Sequence, residues 1–299
     1  FYGATTVFHE NKTWAIFGQG TYDVSDKLTI TGGLRYTDDE KSLIVGDQNV
    51  NGLALVFNIA SVQDYDPINV QDDQVGYELS ANYKLDENSS LFARYANGFR
   101  AQSIQGRDVA FEGAPSVAEA ETINSIEFGV KSDMLDNSLR LNAAVFYYTV
   151  DDIQFSAIGG GANSVSLLNA DKGSAYGFEI DATYVVNQNL VLTSGYSYNK
   201  TEIEDNSLSV FPCGASAEFG PNCTVTDPMT NDNRALIDGN PFPQAPETIF
   251  NFTARYSVPM GDDGEFFAYT DWHSKVKLIF SYMNQLNSKR ITTLKQAYV

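Results

Sequence analysis

The chain has 299 residues, enough for one large or two ordinary domains, and its acidic residues outnumber its basic ones 38 to 19. The resulting net charge of -19 argues against nucleic acid and against an anionic membrane surface as partners. No run approaches the roughly 18 apolar residues of a spanning helix. Aromatic residues nevertheless reach 13%, with 17 Tyr and 19 Phe, and a β-barrel escapes a search for long apolar runs because only alternate residues face lipid.

Ten strand-like segments follow one another, and their connections alternate between short and long. The short ones fall near Ser25–Asp26, Asp86–Asn88, Asp136–Asn137, Asn187–Asn189 and Gly261–Gly264, all rich in turn residues. The long ones cover about Ser42–Asp72, Gln102–Ala120, Asp152–Lys172 and Glu202–Ala245. Short turns on one rim and long loops on the other are the habit of outer-membrane barrels. Within the first long loop, Asn51–Val62 reads equally as a strand or a short helix.

Side-chain parity gives each strand two faces. Arg35 shares a row with Thr29, Thr31 and Thr37, opposite Leu28, Ile30, Leu34 and Tyr36. Glu78, Ser80, Asn82 and Lys84 oppose Tyr77, Leu79, Ala81 and Tyr83, while Arg140 and Arg255 also lie on polar rows. An Arg or Lys facing mid-bilayer lipid costs about 2–4 kcal/mol, so these rows are assigned to the lumen. The clearest case is the hairpin from Gly173 to Lys200. Tyr176, Phe178, Ile180, Ala182 and Tyr184 alternate there with Gly177, Glu179, Asp181 and Thr183, and a tight Asn-Gln-Asn turn leads into the return arm. Its arms are about twice the usual soluble strand. Thr13–Asp23 and Glu265–Trp272 have apolar residues on both rows, and parity leaves their faces unassigned. The fold expected is all-β: a transmembrane antiparallel barrel of the outer-membrane type, present as a partial barrel of about ten to twelve long strands. A soluble β-sandwich is the alternative, disfavoured by the arm lengths, the short–long alternation and the tyrosines at row ends.

Several stretches resemble the C-terminal barrel of TonB-dependent outer-membrane receptors. Trp14-Ala15-Ile16-Phe17-Gly18-Gln19, followed by Leu28 to Leu34-Arg35-Tyr36, resembles that family's W-A-x-F-G-Q … G-L-R-Y hairpin. Tyr95-Ala96-Asn97-Gly98-Phe99-Arg100 resembles its Y-A … G-F-R strand, Glu127-Phe128-Gly129-Val130-Lys131-Ser132 its E-x-G-x-K-S strand, and Gly177-Phe178-Glu179 its G-x-E. The resemblance implies a wall of about 22 strands around an N-terminal plug, with a short box ahead of the plug that contacts TonB and hence the TonB–ExbB–ExbD complex. None of that N-terminal material is in this sequence, and a start at Phe1 without Met or signal peptide is what a piece of a longer protein would show. The function implied is energised import of a scarce solute, such as a ferric siderophore, a corrinoid or a glycan, across the bacterial outer membrane. The partners are then outer-membrane lipid, the plug in cis and a small-molecule substrate. A passive porin is the alternative, and a soluble lectin or hydrolase a weaker one.

The residues point to binding rather than turnover. His9 and His273 are far apart, no nucleophile–base arrangement is legible, and no cofactor or metal site is expected. Asp72–Asp73 and Asp151–Asp152 read as a solvated rim, and Gly159-Gly160-Gly161 as a flexible loop. The lumen row carries Arg35, Glu78, Arg94, Glu127, Lys131, Arg140, Glu179 and Asp181, either wetted or, as the resemblance implies, in contact with a plug. Solute contacts are expected from the outer-loop residues Phe99, Arg100, Arg107, Phe111, Phe155 and Phe211. Cys213 and Cys223 are expected to form a disulfide in an oxidising envelope, closing an 11-residue loop worth about 2.8 kcal/mol in the chain-entropy model.

The tail differs from the rest. Residues 1–272 read as barrel, whereas His273 to Val299 carry five basic and no acidic residues and lose the period of two. A barrel wall needs a closing amphipathic strand, because an open edge in lipid is costly. The codons that encode this tail, read in the frame joining the last base of each with the first two of the next, permit a string with acids, alternation and an E-x-G-L-R ending. The expectation is therefore that 273–299 is a frameshifted tail.

Overall fold

The computed structural model describes residues 3–50, 64–107, 109, 113–159, 164–212, 225–260, 264–276 and 291–298. The alternating rows become strands throughout: β1 (Gly3–Asp23), β2 (Leu28–Val50), β3 (Ile68–Lys84), β4 (Ser89–Arg100), β5 (Ser103–Gln105), β6 (Ser116–Ala118), β7 (Glu121–Met134), β8 (Leu139–Gly159), β9 (Ser164–Val185), β10 (Leu190–Glu204), β11 (Ser209–Val210), β12 (Ala235–Leu236), β13 (Thr248–Pro259), β14 (Glu265–Val276) and β15 (Ile291–Tyr298). Eleven of them form one antiparallel sheet in the order β1-β2-β3-β4-β7-β8-β9-β10-β13-β14-β15. Each long strand pairs with its sequence neighbour, apart from the small pairs β5–β6 and β11–β12, which belong to outer loops.

The short connections are where turn residues placed them. Ser25 Oγ accepts from the Lys27 and Leu28 amides, Asp86 Oδ1 from the Asn88 amide at 2.8 Å, and Asn187 Oδ1 from Asn189 and Leu190. Leu135, Asp136 and Asn137 turn the chain at φ of 53, 54 and 65°, a region that Asp and Asn tolerate because their side chains bond locally.

Parts of two of the expected long loops are strand. β2 continues through Val50, and the stretch from Asp152 to Lys172 belongs mostly to β8 and β9, which pair as far as Gly159↔Ser164. These arms exceed the roughly 9–11 residues a membrane strand needs, so they project beyond the bilayer. Cross-strand pairing keeps their backbone groups satisfied where water alone would otherwise have to do so. Asn51–Val62, Phe111, Cys213 and Cys223 lie outside the described residues.

Register settles the two ambiguous strands. Phe17 pairs Arg35 and Thr21 pairs Thr31, so Thr13, Phe17, Gln19 and Thr21 join the lumen row while Trp14, Ile16 and Tyr22 face out. Arg255 pairs Tyr269 and Asn251 pairs His273, which turns Phe267, Tyr269, Asp271 and His273 inward and leaves Phe266 and Trp272 outward. The outward rows are exposed although apolar, Ile16 at 67% and Leu34 at 63%, as a face solvated by lipid requires.

The tightest packing lies at the outer end. Val150, Ile153, Phe155, Ala170, Ile203, Val210, Ala235 and Ile237 form a buried cluster where the β8–β9 arm meets the β10–β13 loop. Phe242 closes this cluster, 6.2 Å from Phe155 between ring centroids and directly against Gly173, where a Cβ would strike the ring.

Candidate functional site: the inner wall and its outer mouth

Rows that parity assigned to the lumen from β2 through β9 line one cavity of about 470 Å³. It brings together Glu78, Arg94, Glu127, Lys131, Glu179 and Asp181, with Thr29 on β2 at one side. Side chains from strands this far apart in the sheet can share a cavity only if the sheet curves around it, so the polar row is the concave face. Arg35 lies on a second cavity of about 790 Å³ nearer the outer end, which shares Glu78 and Arg94, and Arg140 on a third at the rim of short turns, which shares Lys131. All eight predicted lumen residues therefore occupy the same face.

Three ion pairs lie on this face. Arg94 Nη2 donates to Glu78 Oε2 at 2.7 Å, Arg140 Nε to Asp133 Oδ1 at 2.8 Å and Arg255 Nη2 to Glu265 Oε2 at 3.2 Å. Three inward cations lie over rings: Arg35 over Phe17 at 5.7 Å, Lys131 over Phe92 at 5.4 Å and Arg255 over Phe267 at 5.1 Å. Arg35 also donates to Thr37 Oγ1 at 3.0 Å. Water-exposed pairs of this kind contribute little to stability. Their consequence is a wall studded with oriented donors and acceptors.

The glycines of the motif strands explain how rings fit on a polar face. Gly129 pairs Phe92, and Gly177 pairs Phe146. In each case a Cβ on the glycine would collide with the ring and with a neighbouring carbonyl, Ala143 O for Gly129 and Tyr198 O for Gly177. A ring lying flat over a bare backbone covers the strand that lacks a side chain. The Glu–x–Gly–x–Lys pattern thus sets Glu127, the space for Phe92 and Lys131 on one inward row.

At the outer mouth, β4 and β7 end early, at Arg100 and Glu121, between the tall β1–β2 and β8–β9 arms. Of the chain between Ala101 and Ala120, the described residues 101–107, 109 and 113–120 lie in this notch. On one side Gln102 donates its backbone N–H and side-chain amide to Asp72, at 2.7 and 3.1 Å, and its carbonyl accepts from Lys41 Nζ at 2.8 Å. On the other, Glu119 N–H donates to Asn169 Oδ1 at 2.8 Å, and Ser116 Oγ accepts from Leu167 N–H at 2.9 Å. Ala118 is fully buried. Asp72, expected on a solvated rim, is thus a structural acceptor, and Asp152 takes a φ of 54° with its carbonyl bound by Asn169.

Of the expected solute contacts, Arg100 is exposed and pairs with Glu121 at 3.7 Å, Phe99 is half-buried on the 790 Å³ cavity, and Arg107 is exposed. Phe211 carries the Arg234 guanidinium 4.4 Å above its ring. Phe155 is 7% exposed within the buried loop cluster. Sequence reasoning missed the residues that order the loops, chiefly Gln154, Asn169 and Asp205. Asp205 Oδ1 accepts from Ser207 N–H and Leu208 N–H, each at 2.9 Å, and Oδ2 from Asp171 N–H at 3.0 Å. Its Asp-x-Ser spacing was a readable turn signal. No local pattern marks Gln154 or Asn169, because their partners are more than 15 residues away.

A protein-family model described as TonB dependent receptor-like, beta-barrel, matches residues 2–291. The pesticin receptor of Yersinia enterocolitica is 29% identical over 184 residues, 61% of this chain and 25% of that protein. A probable TonB-dependent siderophore receptor, PiuA of Acinetobacter baumannii, is 22% identical over 190 residues, 62% of this chain and 23% of its own length. Among solved structures, the ferric yersiniabactin uptake receptor FyuA from Yersinia pestis superposes at a TM-score of 0.68 and 20% identity, covering 98% of this chain and 38% of that one. At that identity the likeness is one of fold. The chain spans about a quarter of the length of the curated relatives it matches first.

Proposed function

Since the chain belongs to the TonB-dependent receptor family, whose barrel model matches it across residues 2–291, we propose that it is part of the wall of a receptor that imports a scarce solute in a TonB-energised step. The family's barrels lie in the outer membrane of Gram-negative bacteria, and membership supports reading this chain as part of a transporter. The solute we favour is a ferric siderophore, with a corrinoid or a glycan as other members of the class. Support comes from the siderophore named for PiuA and the ferric yersiniabactin named for FyuA.

The observation that carries this reading is the continuous polar concave face under a packed outer mouth. In it, Arg35, Glu78, Arg94, Glu127, Lys131, Arg140, Glu179 and Asp181 are the groups we assign to a plug supplied in cis by a longer protein. TonB–ExbB–ExbD would engage that protein through its N-terminal region. Phe99, Arg100, Arg107, Phe111 and Phe211 are assigned to the solute, whereas Phe155 serves by holding the loops together. Deleting the gene and growing the strain under iron limitation on a panel of ferric chelates, corrinoids and glycans tests the class. Loss of growth on one chelate alone is expected, and unchanged growth on the whole panel would refute the import reading.

A further inference from the structure

Gln154 sits one strand away from the loop it controls. Its side chain is 7% exposed, and every polar group of it is engaged. The amide Nε2 donates to Ala101 O at 2.9 Å, to Glu119 O at 2.8 Å and at 3.5 Å to Arg100 O, while Oε1 accepts from Ser103 Oγ at 2.7 Å. Ala101 and Glu119 are the two ends of the loop between β4 and β7. One side chain on β8 therefore grips both the exit from β4 and the approach to β7. Its own backbone N–H donates to Glu121 Oε2 at 2.6 Å, and the other oxygen of that carboxylate, Oε1, faces Arg100 Nη1 at 3.7 Å.

We propose that Gln154 is a positioning residue that closes the base of the 101–120 loop and, through Glu121, sets Arg100 at the boundary between lumen and mouth. Three observations carry this. A buried amide whose donors reach two carbonyls 18 residues apart in sequence fixes their separation. Glu121 is held on one oxygen by a backbone group, so only its other oxygen is left to orient the guanidinium. Arg100 remains 59% exposed, which leaves its remaining donors free to meet an arriving solute. In a mouth built this way the basic group is presented before solute arrives, and ordering it adds nothing to the cost of binding. This use of Arg100 rests on the import reading above, but the positioning itself does not.

The test uses the full-length receptor in outer membranes and needs no solute. Hydrogen exchange is followed in peptides covering 101–107 and 113–120, and Arg100 is titrated with phenylglyoxal, its modification read by mass spectrometry. In the wild type, both peptides should exchange as slowly as their strand neighbours. Gln154→Met should raise exchange there at least about tenfold, since the buried Ala101 carbonyl loses its side-chain donor and Glu119 O keeps only Asn169 Nδ2. It should leave peptides from mid-β4 and mid-β7 unchanged and speed Arg100 modification about two- to fivefold. Glu121→Gln should speed modification similarly without altering exchange, and the double variant should add nothing further. Gln154→Glu, which keeps the acceptor and loses the donors, should behave as Gln154→Met. Unchanged exchange and labelling in the Gln154 variants, or a rise spread evenly over the strands, would overturn the assignment. If the variants do not assemble, rapid wild-type exchange at 101–107 and 113–120 overturns it alone, and slow exchange there upholds the closed loop base. Failure of import with these results intact would instead count against the transport reading.

Discussion

Asp205 illustrates how one side chain decides the state of a loop. Burial by itself raises its pKa, but hydrogen bonds from Asp171, Ser207 and Leu208 favour the charged form and outweigh burial, so the carboxyl titrates below its ordinary value of 3.8. A depressed folded pKa means that its contribution is complete above that ordinary value and is lost as pH falls through the lower folded one. The β10–β13 loop should therefore resist protease equally at about pH 7 and about pH 5, and open to pepsin only below the ordinary value of 3.8. Asp205→Ala should open it at every pH, at a cost of about 1–3 kcal/mol for donors left unpaired. Equal pepsin sensitivity of the wild type at about pH 5 and about pH 2 would contradict this assignment.

At the scale of the strand, the row assignment is the quantity under test. On β9, Ile180 faces outward beside Tyr196 and Asp181 inward beside Gly195. Ile180→Arg should cost about 2–4 kcal/mol and lower the yield of heat-modifiable barrel in outer membranes. Asp181→Asn should leave the yield near wild type. Equal tolerance of both would show the rows reversed or the membrane absent. These rows were legible in the sequence because lipid and water impose opposite demands on alternate residues, and a single Arg or Lys marks the wet side. The same logic stalled on β1 and β14. There Phe17, Phe267 and Tyr269 turn inward and lie among Arg35 and Arg255, so hydrophobicity no longer reports the face, and only register resolves it. The outer loops were least legible. Gln154, Asn169 and Lys41 act through loop residues far away in sequence, and the arms beyond the bilayer keep pairing without a lipid face to enforce a pattern.

For the whole molecule, two proposals concern what the wall belongs to. The first is that the reading frame changes after about Trp272, which would account for a tail with five basic and no acidic residues from His273 onward. Resequencing codons 272–281 should recover the frame that ends in E-x-G-L-R. A confirmed frame giving the present tail, with a stop codon interrupting the other before its G-L-R, would end that proposal. The second is the energised importer itself, in which the concave face holds a plug and the mouth admits a chelate. A passive barrel would present the same strands and the same lipid face, so growth alone does not separate the two. Energy dependence does. The decisive measurement is initial-rate uptake of iron-55 on the chelate selected by the growth panel, in cells carrying the complete gene, with and without TonB. Saturable uptake that vanishes without TonB, while chelate binding to isolated outer membranes persists, is the result predicted. Uptake that rises linearly with concentration and is indifferent to TonB would contradict it.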